Sequence, residues 1–123
     1  QDWWHQRGYF TPNATRVTSN RFSMVIPPPN VTGELHLGHT LTIAIQDSLT
    51  RWHRMHGRTA LWVPGADHAG IATQVVVEKK LMREQHKTRH DLGRTDFINL
   101  VWKWKQQFHD RINLQTNRLG ASV

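Results

Sequence analysis

Residues 22–39 read FSMVIPPPNVTGELHLGH, and this stretch decides how the chain folds. Phe22–Ile26 is a short apolar run rich in residues that favour β structure, which predicts a buried parallel strand that ends at three prolines. A loop that carries Gly33 follows. From His36 to His56 apolar residues recur every three or four positions, the period of an amphipathic helix. These residues are Leu37, Leu41, Ile45, Leu49, Trp52 and Met55.

A second strand is predicted at Thr59–Val63, between the helix stop at Gly57 and the turn residue Pro64. Strand, helix and strand within about 40 residues form a βαβ unit, so the expected fold class is α/β with a parallel sheet and a right-handed crossover. Ligands of such sheets bind beyond the carboxyl ends of the strands. The loops at 27–35 and 64–70 are expected to emerge at that end.

The other segments are predicted to be helices and loops. A short helix at Gln1–Phe10 should bury Trp3, Trp4 and Tyr9, and Thr11–Asn20 should be a polar loop.

Two further amphipathic helices are expected, at 71–85 and 96–119, separated by a basic loop and with Thr95 as an N-cap. The inward residues of the first would be Val75, Val76 and Leu81 or Met82. The stripe of the second would be Phe97, Leu100, Val101, Trp104, Phe108, Ile112 and Leu119.

His36 and His39 form the first candidate site. They lie three residues apart at a strand-to-helix junction, so on a helix their rings project from the same face. Gly33 and Gly38 let the backbone approach a ligand, and a helix N-terminus supplies unpaired N–H groups. Two ring donors could therefore stabilise charge that develops on a transferring phosphoryl group. The plainer alternative is a pair of histidines with no function, on a solvent-facing or core helix surface.

Asp67 and His68 follow the second strand and form the second candidate site. The Asp67 carboxylate could bind an ammonium group, bind a metal or cap the next helix. Gln74, on the first turns of that helix, would face the cleft. The chain has nine histidines but no cysteine, and their spacing does not demand a zinc site, so no metal site is predicted.

Composition narrows the function classes. The 123 residues include 16 Lys and Arg but only 9 Asp and Glu, which gives a formal net charge of +7. This balance favours polyanionic partners such as nucleotides or nucleic acid, and a solvated basic surface would explain it equally well. The absence of cysteine excludes disulfides and thiolate metal ligands. No stretch is apolar enough to span a membrane, and no secretory signal is visible.

The motif His36-Leu37-Gly38-His39 resembles the His-Ile-Gly-His signature of class I aminoacyl-tRNA synthetases. Five other stretches resemble the valine-specific enzymes of that class: 27–33, 51–57, 67–74, 102–105 and 119–123. The resemblance covers nearly the whole chain and is weakest at 11–21. It implies a Rossmann-like nucleotidyl-transferase fold, in which valine and ATP give valyl-adenylate and the valyl group then passes to its tRNA.

The resemblance also implies residue roles. His36 and His39 would be catalytic and would contact the ATP phosphates, and Mg²⁺ would accompany that ATP. The ATP site would be completed by Thr32, Gly33 and Gly38.

An amino-acid pocket is implied as well. Asp67 would hold the amino group of valine, and the pocket would be lined by Pro28, Pro29 and Asn30. Glu34 departs from the family pattern, because a small residue is usual there, and it puts a negative charge near the phosphate loop.

By the same resemblance, residues 1–123 would be the first βαβ half of a synthetase catalytic domain, without the second half, the editing domain or the anticodon-binding domain. Apolar faces that the second half covers would then be exposed. The expected function is a weakly active catalytic fragment that activates valine, in the cytoplasm or an organelle. Two alternatives stay open: a fragment that binds ATP or RNA without turnover, and another nucleotidyl transferase that shares only the two-histidine motif.

Overall fold

The computed structural model of the chain describes residues 2–12, 15 and 20–123. The elements in chain order are helix α1 (Asp2–Gln6), strand β1 (Arg21–Val25), helix α2 (Leu37–Met55), strand β2 (Thr59–Val63), and helices α3 (Gly70–Gln85), α4 (Arg89–Leu92) and α5 (Arg94–Arg118). The predicted α/β class is therefore confirmed. The predicted loop at 11–20 lies mostly outside the described residues.

The chain divides into two compact units. The first unit contains residues 1–28, 35–65 and 114–123, and the second contains residues 29–34 and 66–113. The sheet and α2 belong to the first unit, whereas α3, α4 and most of α5 belong to the second.

The sheet of the first unit has two parallel strands. β1 pairs with β2 from Arg21 opposite Thr59 to Val25 opposite Val63. The Ile26 N–H extends the ladder by donating to the Val63 carbonyl at 3.0 Å. The predicted strand–helix–strand order with parallel pairing is thus confirmed.

Only one face of this sheet is buried. Along β2, Ala60 and Trp62 are buried while Leu61 and Val63 are exposed, and on β1 Val25 is 65% exposed. Successive side chains of a strand point to opposite faces, so packing on one side produces this alternation. The sequence prediction of a buried strand at 22–26 is therefore right for one face only.

The packed face of α2 is not the face that its apolar period indicates. Ile43, which is 6% exposed, packs in an apolar cluster with Ile26, Trp62 and Ala121. Beside it, the Gln46 side chain accepts a hydrogen bond from the Trp62 indole N–H at 3.0 Å. The expected stripe is at least 45% exposed at every position: Leu37, Leu41, Ile45, Leu49, Trp52 and Met55. The expected exposure of apolar faces is observed on this helix and on the open side of the sheet.

A partly buried polar network joins α2 to the C-terminal segment. The Asp47 carboxylate accepts hydrogen bonds from the N–H (3.0 Å) and the hydroxyl of Ser122, and from Arg51 Nε at 2.8 Å. Arg51 also donates to the Gly120 carbonyl at 2.7 Å. Arg54 donates to the Ser122 carbonyl at 2.9 Å and to its hydroxyl. Charged partners of this kind offset the cost of burying the carboxylate.

The second unit has its own core between α3 and α5. Val77, Leu81 and Phe97 are buried together, and the partly buried residues packed on them are Leu92, Leu100, Val101 and Trp104. On α3 the inward face is Thr73, Val77 and Leu81, so the prediction that Val75 points inward is wrong; Val75 is 41% exposed.

Several local predictions at helix ends need correction. The predicted basic loop at 86–94 contains α4, which begins with a capping box between Thr88 and Asp91. α5 begins at Arg94, and the Phe97 N–H donates to the Gly93 carbonyl at 3.1 Å, so Thr95 lies inside the helix and is not its N-cap.

Other apolar residues are less buried than predicted. Those that are exposed instead are Trp3, Trp4, Tyr9 and Leu119. Among the described residues, no helix is both long and apolar enough to cross a membrane.

Because α2 buries a different face from the one its apolar period indicates, a matched pair of substitutions can test its packing. Ile43→Ala should lower the free energy of unfolding by about 2–5 kcal/mol, because it leaves a cavity in the apolar cluster. Leu41→Ala, on the exposed stripe, should cost less than about 1 kcal/mol. Urea denaturation of the two variants measures both values, and the reverse ranking would contradict the observed packing.

The Asp47 network gives a second test. Asp47→Ala leaves Arg51 Nε and the Ser122 N–H without their acceptor, so it should cost about 2–3 kcal/mol of unfolding free energy. Asp110→Ala is the control, since that carboxylate lies on an exposed surface of α5, and it should change stability by less than about 0.5 kcal/mol. Equal, small effects of both substitutions would show that the network does not stabilise the fold.

Candidate functional site

The N-terminus of α2 is capped by two histidines. His36 lies at the N-cap position in an extended conformation, and its Nδ1 accepts a hydrogen bond from the Gly38 N–H at 3.1 Å. In return, His39 Nδ1 accepts from the His36 N–H at 3.2 Å. Imidazole nitrogens thus take the place of the hydroxyl and carboxylate oxygens of an ordinary capping box. The two histidines of the motif are brought together, as their spacing predicts.

This cap fixes the chemical form of both rings. A ring nitrogen that accepts a hydrogen bond carries no proton, so each neutral imidazole is assigned the tautomer with its proton on Nε2. The two rings stack, with centroids 3.8 Å apart and planes 30° apart. His36 and His39 therefore present two Nε2–H donors side by side at the positive end of a 19-residue helix.

Gly38 makes room for this arrangement. A Cβ built at Gly38 would lie 3.0 Å from Cε1 and 3.1 Å from Nδ1 of the His36 ring, closer than carbon contacts normally allow. The missing side chain thus lets the His36 ring close over the first turn of α2. At Gly33, by contrast, a Cβ would meet nothing within 4 Å, so the protein itself does not require glycine there.

The electrostatics of the pair favour a neutral His39 ring. Partial burial lowers the pKa of His39 below its usual 6.5, and the neighbouring His36 lowers it further because two positive charges would repel. The unliganded cap therefore persists at neutral pH. A bound polyphosphate would act in the opposite direction, because its negative charge favours protonated histidine.

The loop after β1 is anchored in the second unit. Asn30 and Asp67 form an isolated parallel bridge, in which the Val31 N–H donates to the Asp67 carbonyl at 3.0 Å and the Asp67 N–H donates to the Pro29 carbonyl at 2.9 Å. Val31 is fully buried, and its carbonyl accepts from the Trp104 indole N–H at 2.9 Å. Two of the sequence-predicted amino-acid-site residues, Asn30 and Asp67, are thus held next to each other.

The carboxylate of Asp67 has one oxygen bound within the chain. Its Oδ1 accepts from the Ala69 N–H at 2.9 Å, which stabilises the left-handed conformation of Ala69 before α3. Within the described residues Oδ2 has no hydrogen-bond donor, and the side chain is exposed. Asp67 therefore supports the turn before α3 but does not cap the helix, because the N-cap residue is Ala69 and no side chain bonds to the first turn.

Glu34 does not leave an unpaired negative charge in this loop. Its carboxylate forms an ion pair with Arg111 at 2.7 Å, with about half of each side chain exposed. The departure from the family pattern is thus neutralised by a cation from α5. Thr32 lies partly buried in the same loop, Pro29 is buried and Pro28 is exposed.

His68 and Gln74 lie in separate surroundings of the second unit. The His68 ring meets the exposed Trp102 edge-to-face, with centroids 5.9 Å apart. Gln74 donates from Nε2 to Glu78 at 2.9 Å and lines a cavity between α3 and α5. That Gln74 faces the valine cleft stays a prediction. Among the described residues, no group of three potential ligands could hold a metal ion.

Three further residues that support this region were not predicted from the sequence. Asp47, Arg51 and Arg54 hold the C-terminal segment against α2, and their i, i+4 and i, i+7 spacing on one helix face was the available signal. The structure places the histidine pair in the first unit and the Asn30–Asp67 bridge in the second.

Comparison with known proteins defines the class. Residues 1–123 match the family described as tRNA synthetases class I (I, L, M and V), and the chain belongs to this family. It is 61% identical over 127 aligned residues to the valine–tRNA ligases of Takifugu rubripes and Homo sapiens, and 55% identical over 125 to a mitochondrial valine–tRNA ligase of Rattus norvegicus. Each alignment covers 98% of this chain but only 10–12% of the relative. The predicted resemblance to the valine-specific members is confirmed.

The pH dependence of the histidine cap can be predicted from these contacts. The pKa of His39 is lowered on folding, so as the pH falls the unfolded chain binds the proton before the folded chain does. The contribution of the cap to stability is therefore complete above about pH 6.5 and is lost as the pH falls below that value. Protonation of Nδ1 also removes the acceptor for the His36 N–H. Nitrogen NMR should show a His39 midpoint below 6.5, with faster amide exchange at His36 in the same pH range. A midpoint above 6.5 would show that the ring does not act as this acceptor.

Proposed function

We propose that this chain binds the phosphates of ATP at the N-terminus of α2 and takes part in the activation of valine for tRNA. The observation that supports this proposal is the reciprocal His36–His39 cap, which holds two Nε2–H donors together on a helix N-terminus. A helix N-terminus with added donors is suited to an anion. The chain spans only about a tenth of its valine–tRNA ligase relatives, so the complete activity is part of the proposal.

In the proposed reaction a carboxylate oxygen of valine attacks the α-phosphorus of ATP and forms a new oxygen–phosphorus bond, which joins the valyl and adenylyl groups. The bond from that phosphorus to the oxygen bridging it to the β-phosphorus breaks, and pyrophosphate leaves with the electron pair. No proton has to be moved, so the work of the protein is positioning and charge stabilisation. The two Nε2–H groups would donate to phosphate oxygens on which negative charge grows. Mg²⁺ enters with the ATP as part of the substrate.

The amino-acid side of the site would be formed around the Asn30–Asp67 bridge. Asp67 Oδ2 is the oxygen available for the ammonium group of valine, since Oδ1 is used by the Ala69 N–H. Pro28, Pro29 and Asn30 would line the pocket for the side chain. Thr32, Gly33 and Gly38 would complete the ATP site, where Gly38 leaves the backbone open to the nucleotide.

Transfer to tRNA would follow the activation step. We propose that this chain alone activates valine weakly, because it spans only about a tenth of its valine–tRNA ligase relatives. The alternative is a fragment that binds ATP without forming the adenylate. The relatives include both mitochondrial enzymes and enzymes whose names give no compartment, so the cytoplasmic location stays a prediction.

The test is a valine-dependent burst of pyrophosphate release from MgATP, measured on this chain. We expect a burst of up to one equivalent of pyrophosphate that requires valine. The His36→Ala/His39→Ala variant should lose this burst, because removal of electrostatic donors lowers the rate about 10²–10³-fold. His109→Ala is the control, because that partly exposed histidine lies on α5 and takes no part in the cap.

Three outcomes separate the alternatives. A burst that persists in the double variant would refute the role of the histidine cap. ATP binding with no burst, by protein shown to be folded, would establish the non-catalytic alternative. Activation of a different acceptor, or transfer of a nucleotidyl group from CTP, would indicate that the chain is another kind of nucleotidyl transferase.

A further inference from the structure

The second unit contains a cavity that the proposed activation of valine does not use. Its volume is about 490 Å³, within the range of pockets that hold small molecules. All the residues that line it belong to the second unit, and the polar ones are Gln74, Arg89, His90 and Arg94. We propose that this cavity binds a nucleoside 5′-monophosphate unit, either as a free nucleotide or as a residue of single-stranded RNA.

The charge at the cavity favours a phosphate. Arg94 has no ion pair or hydrogen bond from its side chain within the described residues, so its guanidinium is available to an anion. Arg89 donates from Nη1 to Glu78 at 3.0 Å, but the planar guanidinium carries five N–H donors and retains others. Arginine pairs bidentately with phosphate oxygens, and α5 begins at Arg94, where its helix dipole adds positive potential.

The cations of this cavity are held on a short, ordered turn. In the capping box of α4 the Asp91 carboxylate accepts from the Thr88 N–H and hydroxyl, both at 2.7 Å. These bonds hold the pKa of Asp91 below its usual value, so the carboxylate stays charged and committed to the turn. Gly93, at φ +78°, then turns the chain into α5. The backbone positions of Arg89 and Arg94 are therefore set before a ligand arrives, which lowers the ordering cost of binding.

The apolar part of the lining indicates more than an inorganic anion. Phe97, Ile98 and Val101 contribute carbon surface, and Ile98 remains 39% exposed. A phosphate ion would bind the arginines and leave this carbon surface exposed to water, whereas a nucleotide would also pack its base against that surface. The Gln74 amide nitrogen is engaged by Glu78 at 2.9 Å, which leaves its carbonyl oxygen as an acceptor for a base amino group or a ribose hydroxyl.

The experiment is a titration of the full ¹⁵N-labelled chain with 5′-AMP, with inorganic phosphate and with a single-stranded RNA of four adenylates. AMP should shift the amides of Gly93 and Arg94 and the Gln74 side-chain amide. It should bind at least about 5-fold more tightly than phosphate, because the base adds apolar and stacking contacts. Tighter binding of the RNA than of AMP would indicate that the cavity holds a residue of an RNA strand. Equal affinity for the RNA and AMP would indicate that it holds a free nucleotide.

Matched variants locate the site. Arg94→Gln should weaken AMP binding about 10-fold or more, through loss of a charge-assisted hydrogen bond. Arg83→Gln, an exposed arginine of α3 outside the cavity, should leave the affinity within about 2-fold. Ile98→Ala should weaken the binding of AMP but not the binding of phosphate.

Several results would overturn this inference. Equal affinity for phosphate and AMP would refute the nucleotide class, and the same loss in both arginine variants would indicate a diffuse surface effect. Shifts confined to residues 36–39 would also refute it while leaving the proposed ATP site intact. Conversely, shifts at 93–94 without a pyrophosphate burst would support the cavity and contradict the catalytic proposal.

Discussion

Asp47 places a carboxylate on the packed side of α2, where only 16% of its side chain is exposed. A charge in that position needs partners, and the C-terminal segment supplies them through Ser122 while Arg51 completes the pairing. The same contacts bring Ala121 into the apolar cluster formed with Ile43 and Trp62. The helix that begins with the histidine motif is therefore positioned by residues more than seventy positions away as well as by its own sheet.

At the other end of α2, structure and proposed chemistry use the same atoms. Any helix must satisfy the N–H groups of its first turn, and serine, threonine or aspartate would do so with an oxygen. His36 and His39 do so with Nδ1, which leaves a proton on each Nε2. In the proposed reaction the cap would hold both donors ready for a phosphate before any ligand binds, so little reorganisation would be needed.

The proline- and glycine-containing loop serves both units of the chain. Its residues 29–34 are fixed within the second unit by the Asn30–Asp67 bridge, by the Trp104 indole and by the Glu34–Arg111 pair. Residues 35–39 belong to the first unit, where Leu35 packs on the apolar cluster. The ATP and amino-acid residues proposed from the family resemblance are therefore supported by two separate sets of contacts.

The α/β class, the two parallel strands, the helix at 37–55 and the pairing of His36 with His39 could all be read from the sequence. Each depends on a period, a turn residue or a three-residue spacing, and these signals lie within a few neighbouring positions. The family motif predicted functional roles, because its residues are contiguous and can be recognised without knowledge of packing. The tautomers of the two rings and the second oxygen of Asp67 could not be predicted, because they depend on which backbone groups come within hydrogen-bonding distance.

The side on which α2 packs was set by tertiary contacts alone. Leu41 and Ile45 belong to the more apolar stripe and remain exposed, whereas Ile43 and Asp47 face the sheet and the C-terminal segment. The periodicity of apolar residues identifies a helix and its richest face, but burial is decided by the partners that distant segments bring to it. Here those partners are Trp62 and Ser122, which approach a face of α2 that carries few apolar residues and several polar ones.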